Sequence, residues 1–295
     1  MVLIDGKKIA SDIRREISHE VEKLREYGKK TPHLAAILIG QDGASETYIA
    51  SKVKACEQTG FKSTLLKFPT SIQEEELLLK IEEINADEDI DGLIVQLPLP
   101  KHIDSDKVTN TISPQKDVDG FHPENIGRMI LNQPGYIPAT PYGIIKLLER
   151  YHIGTSGRNC VVIGRSNIVG SPISILMSRN NYPGNATVTL CHSKTHDLRY
   201  YTQNADIIIV ALGKPGFLTA DMVKEGVVVI DVGITRIKSD KTKNGYILLG
   251  DVDFDNVAPK CSYITPVPGG VGPMTIAGLL LNTLDACKRK SLVLG

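Results

Sequence analysis

The sequence has 295 residues, of which 41% are hydrophobic and 23% are charged, and its 34 Lys and Arg residues balance 34 Asp and Glu residues. These proportions are ordinary for a globular protein and exclude a disordered, collagen-like or coiled-coil chain, while the length favours two domains. A net charge of zero also argues against a nucleic-acid-binding surface.

Neither a membrane segment nor a signal peptide is expected. No apolar run approaches the roughly 18 residues of a membrane span, and the N-terminal residues reach the charged Asp5 at once, unlike a secretory signal. The five Cys residues are odd in number, far apart and without a C-x-x-C pair. This cysteine usage favours a reducing cytoplasm.

The first half of the chain alternates helical and strand patterns. Apolar residues recur every three or four positions from Ile9 to Leu24 and predict an amphipathic helix that stops near Gly28. The elements predicted next are a strand over 34–40, a helix over 45–60, a strand over 65–68, a helix over 72–85 and a strand over 92–97. This order predicts βαβ units, in which helices cover both faces of a parallel sheet.

The alternation restarts beyond a proline-rich segment, 135–141, which predicts a domain boundary. A last helix is predicted over about 274–290, after a Gly- and Pro-rich loop at 266–273. Between the boundary and that loop, four buried strands are predicted over 161–164, 186–190, 206–210 and 227–231. The sequence therefore predicts two α/β domains.

The turn after the strand at 161–164 has features of a phosphate-binding site. Gly164, Arg165 and Ser166 lead to a helix predicted to begin near Gly170, so free backbone N–H groups would face an anion. Ser166 and Val169 stand where the G-x-G-x-x-G pattern has its second and third glycines. A strand-to-helix turn that binds nothing therefore stays an alternative.

The end of the next strand indicates which dinucleotide would bind. An NAD site usually has an Asp or Glu there, which holds the ribose 2′-hydroxyl and repels a 2′-phosphate. Residues 189–194 contain no acid, and Arg165 supplies a cation nearby. Both features favour NADP over NAD, while a solvated turn residue remains the other interpretation of Arg165.

His192 and His196 are four residues apart, a spacing that would suit a pair of metal ligands. A zinc site needs three or four ligands, and the sequence pairs no further ligand with these two. Surface histidines are the better interpretation, and no metal site is predicted.

Tyr48 and Lys52 are four residues apart, which places both side chains on one helix face. A half-buried Tyr beside a surface Lys would give the same pattern. Tyr-x-x-x-Lys also occurs in short-chain dehydrogenases, but there it follows the nucleotide motif, whereas here it precedes Gly164. Gln96 ends an apolar strand, the place where ligands of open α/β sheets bind.

Two loop segments have both a functional and a conformational interpretation. Asp117 and Asp119 place two acids in a turn before Gly120, and many such turns are purely conformational. Residues 265–275 are too rich in Gly and Pro for a regular element. They would bring bare backbone against a ligand, or form only a rigid loop before the last helix.

Taken in order, these segments resemble the bifunctional 5,10-methylenetetrahydrofolate dehydrogenase/cyclohydrolase family over almost the whole chain. The matching motifs are Tyr48-x-x-x-Lys52, Gln96-Leu97-Pro98, Asp117-Val118-Asp119-Gly120, Gly164-Arg165-Ser166 with Val169-Gly170, and Pro266 to Thr275. The resemblance implies oxidation of 5,10-methylenetetrahydrofolate with NADP, and then hydrolysis of the methenyl product to 10-formyltetrahydrofolate. It also implies an N-terminal α/β folate domain (1–138 plus 275–295), a Rossmann-like NADP-binding domain (139–274) and an active site in the cleft between them.

The resemblance implies roles for individual residues. Lys52 would be the hydrolytic residue with Tyr48 and Gln96 beside it, and Asp119 would anchor the pterin through a charge-assisted pair of hydrogen bonds. The cofactor-binding residues would be Gly164, Arg165, Ser166, Ser193 and Ile234. The folate-binding residues would be Tyr48, Lys52, Val95, Gln96, Leu97, Asp119, Pro268, Gly269, Gly270, Val271 and Gly272.

A cytoplasmic homodimer without metal, nucleic-acid or membrane partners is expected. One alternative is another two-domain NAD(P)-dependent dehydrogenase acting on an amino acid or hydroxy acid, which would need a carboxylate-binding Arg or an acid–base His. Another is a non-catalytic folate or nucleotide-binding module, which the candidate catalytic residues disfavour. Because NADP and folate are anions and the net charge is zero, their charge must be met locally, by Arg165, a helix N-terminus and nearby lysines.

Overall fold

The computed structural model of the protein describes residues 1–240, 242 and 245–293. The strands of these residues are β1 (Val2–Leu3), β2 (His33–Ile39), β3 (Lys62–Phe68), β4 (Gly92–Val95), β5 (Asn159–Ile163), β6 (Thr187–Cys191), β7 (Ile207–Val210), β8 (Val227–Asp231), β9 (Thr235–Lys238), β10 (Tyr246–Leu249) and β11 (Cys261–Ile264). The helices are α1 (Gly6–Glu26), α2 (Gly43–Thr59), α3 (Glu74–Ala86), α4 (Ser105–Thr111), α5 (Pro123–Ile130), α6 (Ala139–Arg150), α7 (Gly170–Ser178), α8 (Leu198–Thr202), α9 (Phe254–Val257) and α10 (Val271–Val293). Within this described part, no helix has an apolar stretch that would cross a membrane.

The chain divides into two compact units. The six-stranded unit contains residues 1–10 and 140–275, and the three-stranded unit contains residues 11–139 and those from Ile276 onward. The resemblance instead predicts that residues 1–10 belong to the N-terminal domain. The structure places them in the six-stranded unit, because Val2 and Leu3 pair in parallel with Tyr263 and Ile264. A two-residue strand has no alternation pattern, so only its partner strand identifies it.

The six-stranded unit has one parallel sheet with the order β1-β11-β8-β7-β5-β6. The four strands predicted over 161–231 are confirmed as β5 to β8. From β5 the chain adds β6 on one side and then crosses to place β7 on the other side. The carboxyl ends of β5 and β7 therefore flank the topological switch point, where open α/β sheets bind ligands.

The central strands of this sheet are continuous apolar runs. Residues 207–210 and 227–230 are buried throughout, as strands covered on both faces by other elements must be. β9 and β10 form a separate antiparallel pair, and neither strand is predicted from the sequence. Residues 235–238 mix charged with apolar side chains, and such short mixed segments resemble surface loops.

The three-stranded unit contains a parallel sheet with the order β3-β2-β4. The predicted strands and helices between 34 and 97 are confirmed with small shifts of their ends. On α3, Leu77, Ile81 and Ile84 are buried against the sheet, as their helical spacing requires. Asp42 caps α2, because its Oδ2 accepts a hydrogen bond of 2.8 Å from the N–H of Ser45. This cap fixes where the helix that carries Tyr48 and Lys52 begins.

Candidate active site

Lys52 is a buried lysine on α2. Only 4% of the residue is exposed, and its Nζ lies 3.4 Å from Oε1 of Gln96 and 4.7 Å from the centre of the Tyr48 ring. Tyr48 is one turn earlier on the same helix, whereas Gln96 follows β4 directly. The structure thus joins Gln96 to the pair Tyr48 and Lys52 in one cluster, and Lys52 is not the surface residue of the alternative interpretation.

Burial lowers the pKa of Lys52 below its ordinary value of 10.5, because a buried ammonium ion loses its hydration. The carboxylate of Asp119 acts in the opposite direction by attracting the ammonium form. Burial is the larger effect. The neutral amine, which is the form that can accept a proton, is therefore more populated than in an exposed lysine.

The amide of Gln96 has a defined orientation. Its Nε2 donates a hydrogen bond of 2.7 Å to the carbonyl oxygen of Leu97, so Oε1 is the end that accepts from Lys52. The backbone N–H of Gln96 also donates to the carbonyl oxygen of Ile37 at 2.9 Å. Because the amide does not titrate, Gln96 can orient Lys52 without competing for its proton.

Asp117 and Asp119 have different environments in the same turn. Asp117 is 2% exposed, and its carboxylate accepts hydrogen bonds from the N–H groups of Phe121 at 3.1 Å and His122 at 2.8 Å and from Nδ2 of Asn125 at 2.8 Å. Burial raises the pKa of Asp117 to about 6, against the effect of these hydrogen bonds. Asp119 is half-buried and interacts electrostatically with Lys52. One acid therefore fixes the turn, while the other favours the ammonium form of the lysine.

Val95 and Leu97, the two predicted folate-binding residues on either side of Gln96, have different surroundings. The Val95 side chain is buried in the hydrophobic core that includes Ile37 and Leu93. Leu97 is half-buried, and its carbonyl oxygen holds the Gln96 amide. Leu97 therefore contributes to the geometry of the cluster, whereas the Val95 side chain stabilises the sheet below it.

Gly164 and Ser166 shape the turn between β5 and α7. Gly164 has a φ of +117°, and a Cβ there would overlap the carbonyl oxygen of Ala211 at the end of β7, so only glycine fits. Oγ of Ser166 accepts hydrogen bonds from the N–H groups of Val169 at 3.2 Å and Gly170 at 3.3 Å. Ser166, which stands where the pattern has a glycine, thus holds the backbone at the start of α7, and its hydroxyl hydrogen remains suited to an anion.

Arg165 and Ser193 lie at the same edge of the six-stranded sheet. They follow β5 and β6, which pair in parallel and end in register at Ile163 and Cys191. Both residues are exposed. An arginine and a hydroxyl at adjacent strand ends, without a nearby acid in residues 189–194, suit a 2′-phosphate. Together with the turn between β5 and α7 that Gly164 shapes, these residues fit NADP.

Ile234 and the loop after β11 follow strand ends of the same unit. Ile234 is 52% exposed, and a Cβ at Gly272 would lie 2.9 Å from its Cδ1. Ile234, which is predicted to bind the cofactor, and Gly272, which is predicted to bind the folate, are therefore neighbours. The loop is shorter than predicted, because α10 begins at Val271 and includes Gly272. Proline is tolerated in a first helical turn, so Pro273 does not prevent this start.

Within the described residues, no group of three or more His, Cys, Asp or Glu side chains comes together as a metal site would require. His192 instead has local partners: its N–H donates to Oγ1 of Thr195 at 2.8 Å, and its Nδ1 accepts from the N–H of Lys194 at 3.2 Å. All five cysteines are buried, and none of them forms a disulfide bond.

Two protein-family models match consecutive parts of this chain. The model of the tetrahydrofolate dehydrogenase/cyclohydrolase catalytic domain matches residues 4–119, and that of the NAD(P)-binding domain matches residues 138–291. A curated relative, the bifunctional protein FolD of Cytophaga hutchinsonii, is 64% identical over 290 residues and covers 98% of this chain and 100% of its own.

Solved structures agree with this match. A bifunctional methylenetetrahydrofolate dehydrogenase/cyclohydrolase from Campylobacter jejuni has a TM-score of 0.92 at 47% identity, covering 98% of this chain and 99% of its own. The Trypanosoma brucei enzyme, solved in complex with NADP and an inhibitor, has a TM-score of 0.93 at 36% identity, covering 99% of this chain and 98% of its own.

Proposed function

The chain belongs to the tetrahydrofolate dehydrogenase/cyclohydrolase family, and we propose that it oxidises 5,10-methylenetetrahydrofolate with NADP and then hydrolyses the methenyl product to 10-formyltetrahydrofolate. The observation that carries this proposal is the buried Lys52 held by Gln96 and lying over Tyr48. A hydroxy-acid or amino-acid dehydrogenase would use a carboxylate-binding Arg or an acid–base His at the reacting carbon, and this cluster supplies neither.

In the hydrolytic step Lys52 acts as the general base. Its neutral amine takes a proton from water while the water oxygen forms a bond to the methenyl carbon. When this adduct opens, the lysine ammonium gives that proton to N5 as the bond between N5 and the carbon breaks, and the hydroxyl proton is released to water, which leaves the formyl group on N10. Burial and the positive charge of the methenyl substrate both disfavour the ammonium form. Gln96 accepts one amine N–H at Oε1, so the nitrogen lone pair can face the water. Tyr48 covers the aminobenzoyl ring of the substrate.

In the oxidative step the chain mainly holds its two ligands in place. NADP, when bound, supplies the hydride acceptor. Asp119 accepts hydrogen bonds from a pterin ring N–H and the 2-amino group. Arg165 and Ser193 bind the 2′-phosphate, Gly164 and Ser166 shape the adjoining turn, and Ile234 offers its backbone. The folate contacts are assigned to Val95, Leu97 and residues 268–272 as well.

The deciding experiment supplies the purified protein with 5,10-methylenetetrahydrofolate and either NADP or NAD. Absorbance is recorded for the reduced cofactor, for the methenyl intermediate and for its decay. We expect reduction with NADP, a lower rate with NAD and formation of 10-formyltetrahydrofolate. Reduction by a hydroxy acid or an amino acid, without reaction of the folate, would establish the alternative dehydrogenase class.

A cytoplasmic homodimer is part of the proposal. The register of β9 and β10 places Ile237, Ile247 and Leu249 on one face of a two-stranded sheet, and Ile237 and Leu249 are more than a third exposed. An isolated pair with an apolar face suits a second copy of the chain. Light scattering should give a dimer mass for the natural protein and a monomer mass for the Ile237→Asp/Leu249→Asp variant.

The cytoplasmic location rests on the cysteines: all five are buried and none forms a disulfide bond, which supports a reducing compartment.

A further inference from the structure

Asp251 is a buried acid whose carboxylate holds a loop of backbone. It has no exposed surface, and it accepts hydrogen bonds from three successive N–H groups: Leu212 at 2.6 Å and Gly213 at 3.0 Å on Oδ2, and Lys214 at 2.6 Å on Oδ1. These residues follow β7, from which Ala211 separates them. Because each N–H points at Asp251, this carboxylate determines the course of the loop.

Asp231, at the end of β8, holds Asp251 in turn. Its carboxylate accepts hydrogen bonds from the N–H groups of Gly233 at 2.9 Å, Asp251 at 3.0 Å and Val252 at 3.0 Å. A Cβ at Gly233 would overlap the carboxyl group of Asp251, so the two segments are in close contact. The two acids therefore connect the loop after β7 with the turn after β8.

These segments lie at the ligand-binding edge of the sheet. Ala211, the residue before the loop, meets Gly164 at the switch point between β5 and β7. The turn after β8 leads from Gly233 to the exposed Ile234. Neither acid is placed to react with a ligand itself, because Asp231 is buried like Asp251 and their carboxylates accept from the protein backbone.

We propose that Asp251, held by Asp231, is a positioning residue for the nucleotide: it fixes residues 212–214 and the turn before Ile234 in the arrangement that binds NADP. The proposal rests on the NADP-binding function proposed above. It predicts that damage to Asp251 weakens nucleotide binding and spares hydrolysis at saturating methenyl substrate, because Lys52, Tyr48 and Gln96, which carry out that step, belong to the other unit.

Asp251→Asn is the informative change, because asparagine keeps the shape of the side chain and replaces one hydrogen-bond-accepting oxygen with an NH2 group. The amide oxygen in the Oδ2 position would retain Leu212 and Gly213, whereas the NH2 group would face the N–H of Lys214. A buried N–H without an acceptor is costly, so the loop moves. Asp255→Asn, an exposed acid four residues later, is the matched control, and Asp231→Asn is a second test.

The experiment measures NADP affinity by calorimetry, amide hydrogen exchange at residues 212–214, and methenyl hydrolysis without NADP. We expect Asp251→Asn to raise the Kd for NADP by about tenfold, to speed exchange at Lys214 and to leave hydrolysis within about twofold, while Asp255→Asn matches the natural protein. Asp231→Asn should weaken NADP binding in the same direction.

Two results would overturn the inference: unchanged NADP affinity in both test variants, or an equal loss of hydrolysis, which would mean general destabilisation. Failure of the proposed function is a separate outcome. In that case the natural protein would not reduce NADP with methylenetetrahydrofolate, whereas the calorimetric comparison would still report on Asp251.

Discussion

The Nζ of Lys52 and the Oε1 of Gln96 are 3.4 Å apart although the two residues are 44 positions apart in the chain. The contact joins the middle of α2 to the end of β4. It gives a buried amine a neutral hydrogen-bond acceptor, so Lys52 gains orientation without the large rise in pKa that a carboxylate partner would cause. The Tyr48 ring and the Asp119 carboxylate both attract the charged form of this amine.

Replacing Lys52 with Met should abolish hydrolysis of the methenyl substrate. Methionine fills a similar buried volume but cannot take a proton from water, and loss of a general base costs about 10²- to 10⁴-fold in rate. Folate binding should remain largely intact, and Lys52→Gln should behave alike. The control is Lys54→Met, at an exposed position on the same helix. Unchanged formation of 10-formyltetrahydrofolate by Lys52→Met would remove Lys52 from the mechanism.

The pH profile of hydrolysis should report the pKa of Lys52. Because burial lowers that pKa from 10.5, kcat should rise with pH to a midpoint below this value, once the uncatalysed rate is subtracted. Asp119→Asn removes a carboxylate that favours the ammonium form, so the midpoint should move to lower pH. The same variant should raise KM for folate in both reactions. A midpoint that moves upward would contradict the assignment.

Arg165→Ala should raise the KM for NADP about tenfold or more and leave that for NAD nearly unchanged, because only NADP carries the 2′-phosphate. Arg158→Ala provides the comparison, since Arg158 immediately precedes β5 and lies at the opposite edge of the sheet. Initial rates at varied cofactor concentration measure both constants. Equal effects of Arg165→Ala on NADP and NAD would exclude the phosphate role.

Asp117→Asn should change the pH dependence of stability. Burial raises the pKa of Asp117 from 3.8 to about 6, so between these values the folded state binds the proton more tightly than the unfolded state. The stability contributed by this group is present below the lower value and is lost as pH rises to about 6, by roughly 3 kcal/mol. Asn has no such dependence. Urea unfolding at several pH values measures the free energy of unfolding of the natural protein and of Asp117→Asn. The value for the natural protein should fall relative to that of the variant as pH rises. Asp106→Asn, at an exposed position, is the control.

Much of the fold follows from local patterns. Buried parallel strands such as β7 and β8 are continuous apolar runs, and α3 repeats its apolar residues at helical spacing, so the sequence indicates both kinds of element. β1, β9, β10 and β11 were not predicted, because they are short or mixed in composition. The first residues of α10 were read as a loop because Gly and Pro are dense there.

Local sequence patterns are enough to identify the residue types of the site and their spacing along single elements. They place Tyr48 and Lys52 on one helix face, Gln96 at a strand end, and Arg165 in the turn after β5. Only the folded chain shows that Lys52 is buried and meets Gln96, that Asp117 holds its turn while Asp119 acts electrostatically on Lys52, and that β1 joins the six-stranded sheet. Burial and long-range contacts set these outcomes, because a pKa and a hydrogen bond depend on neighbours in space rather than in sequence.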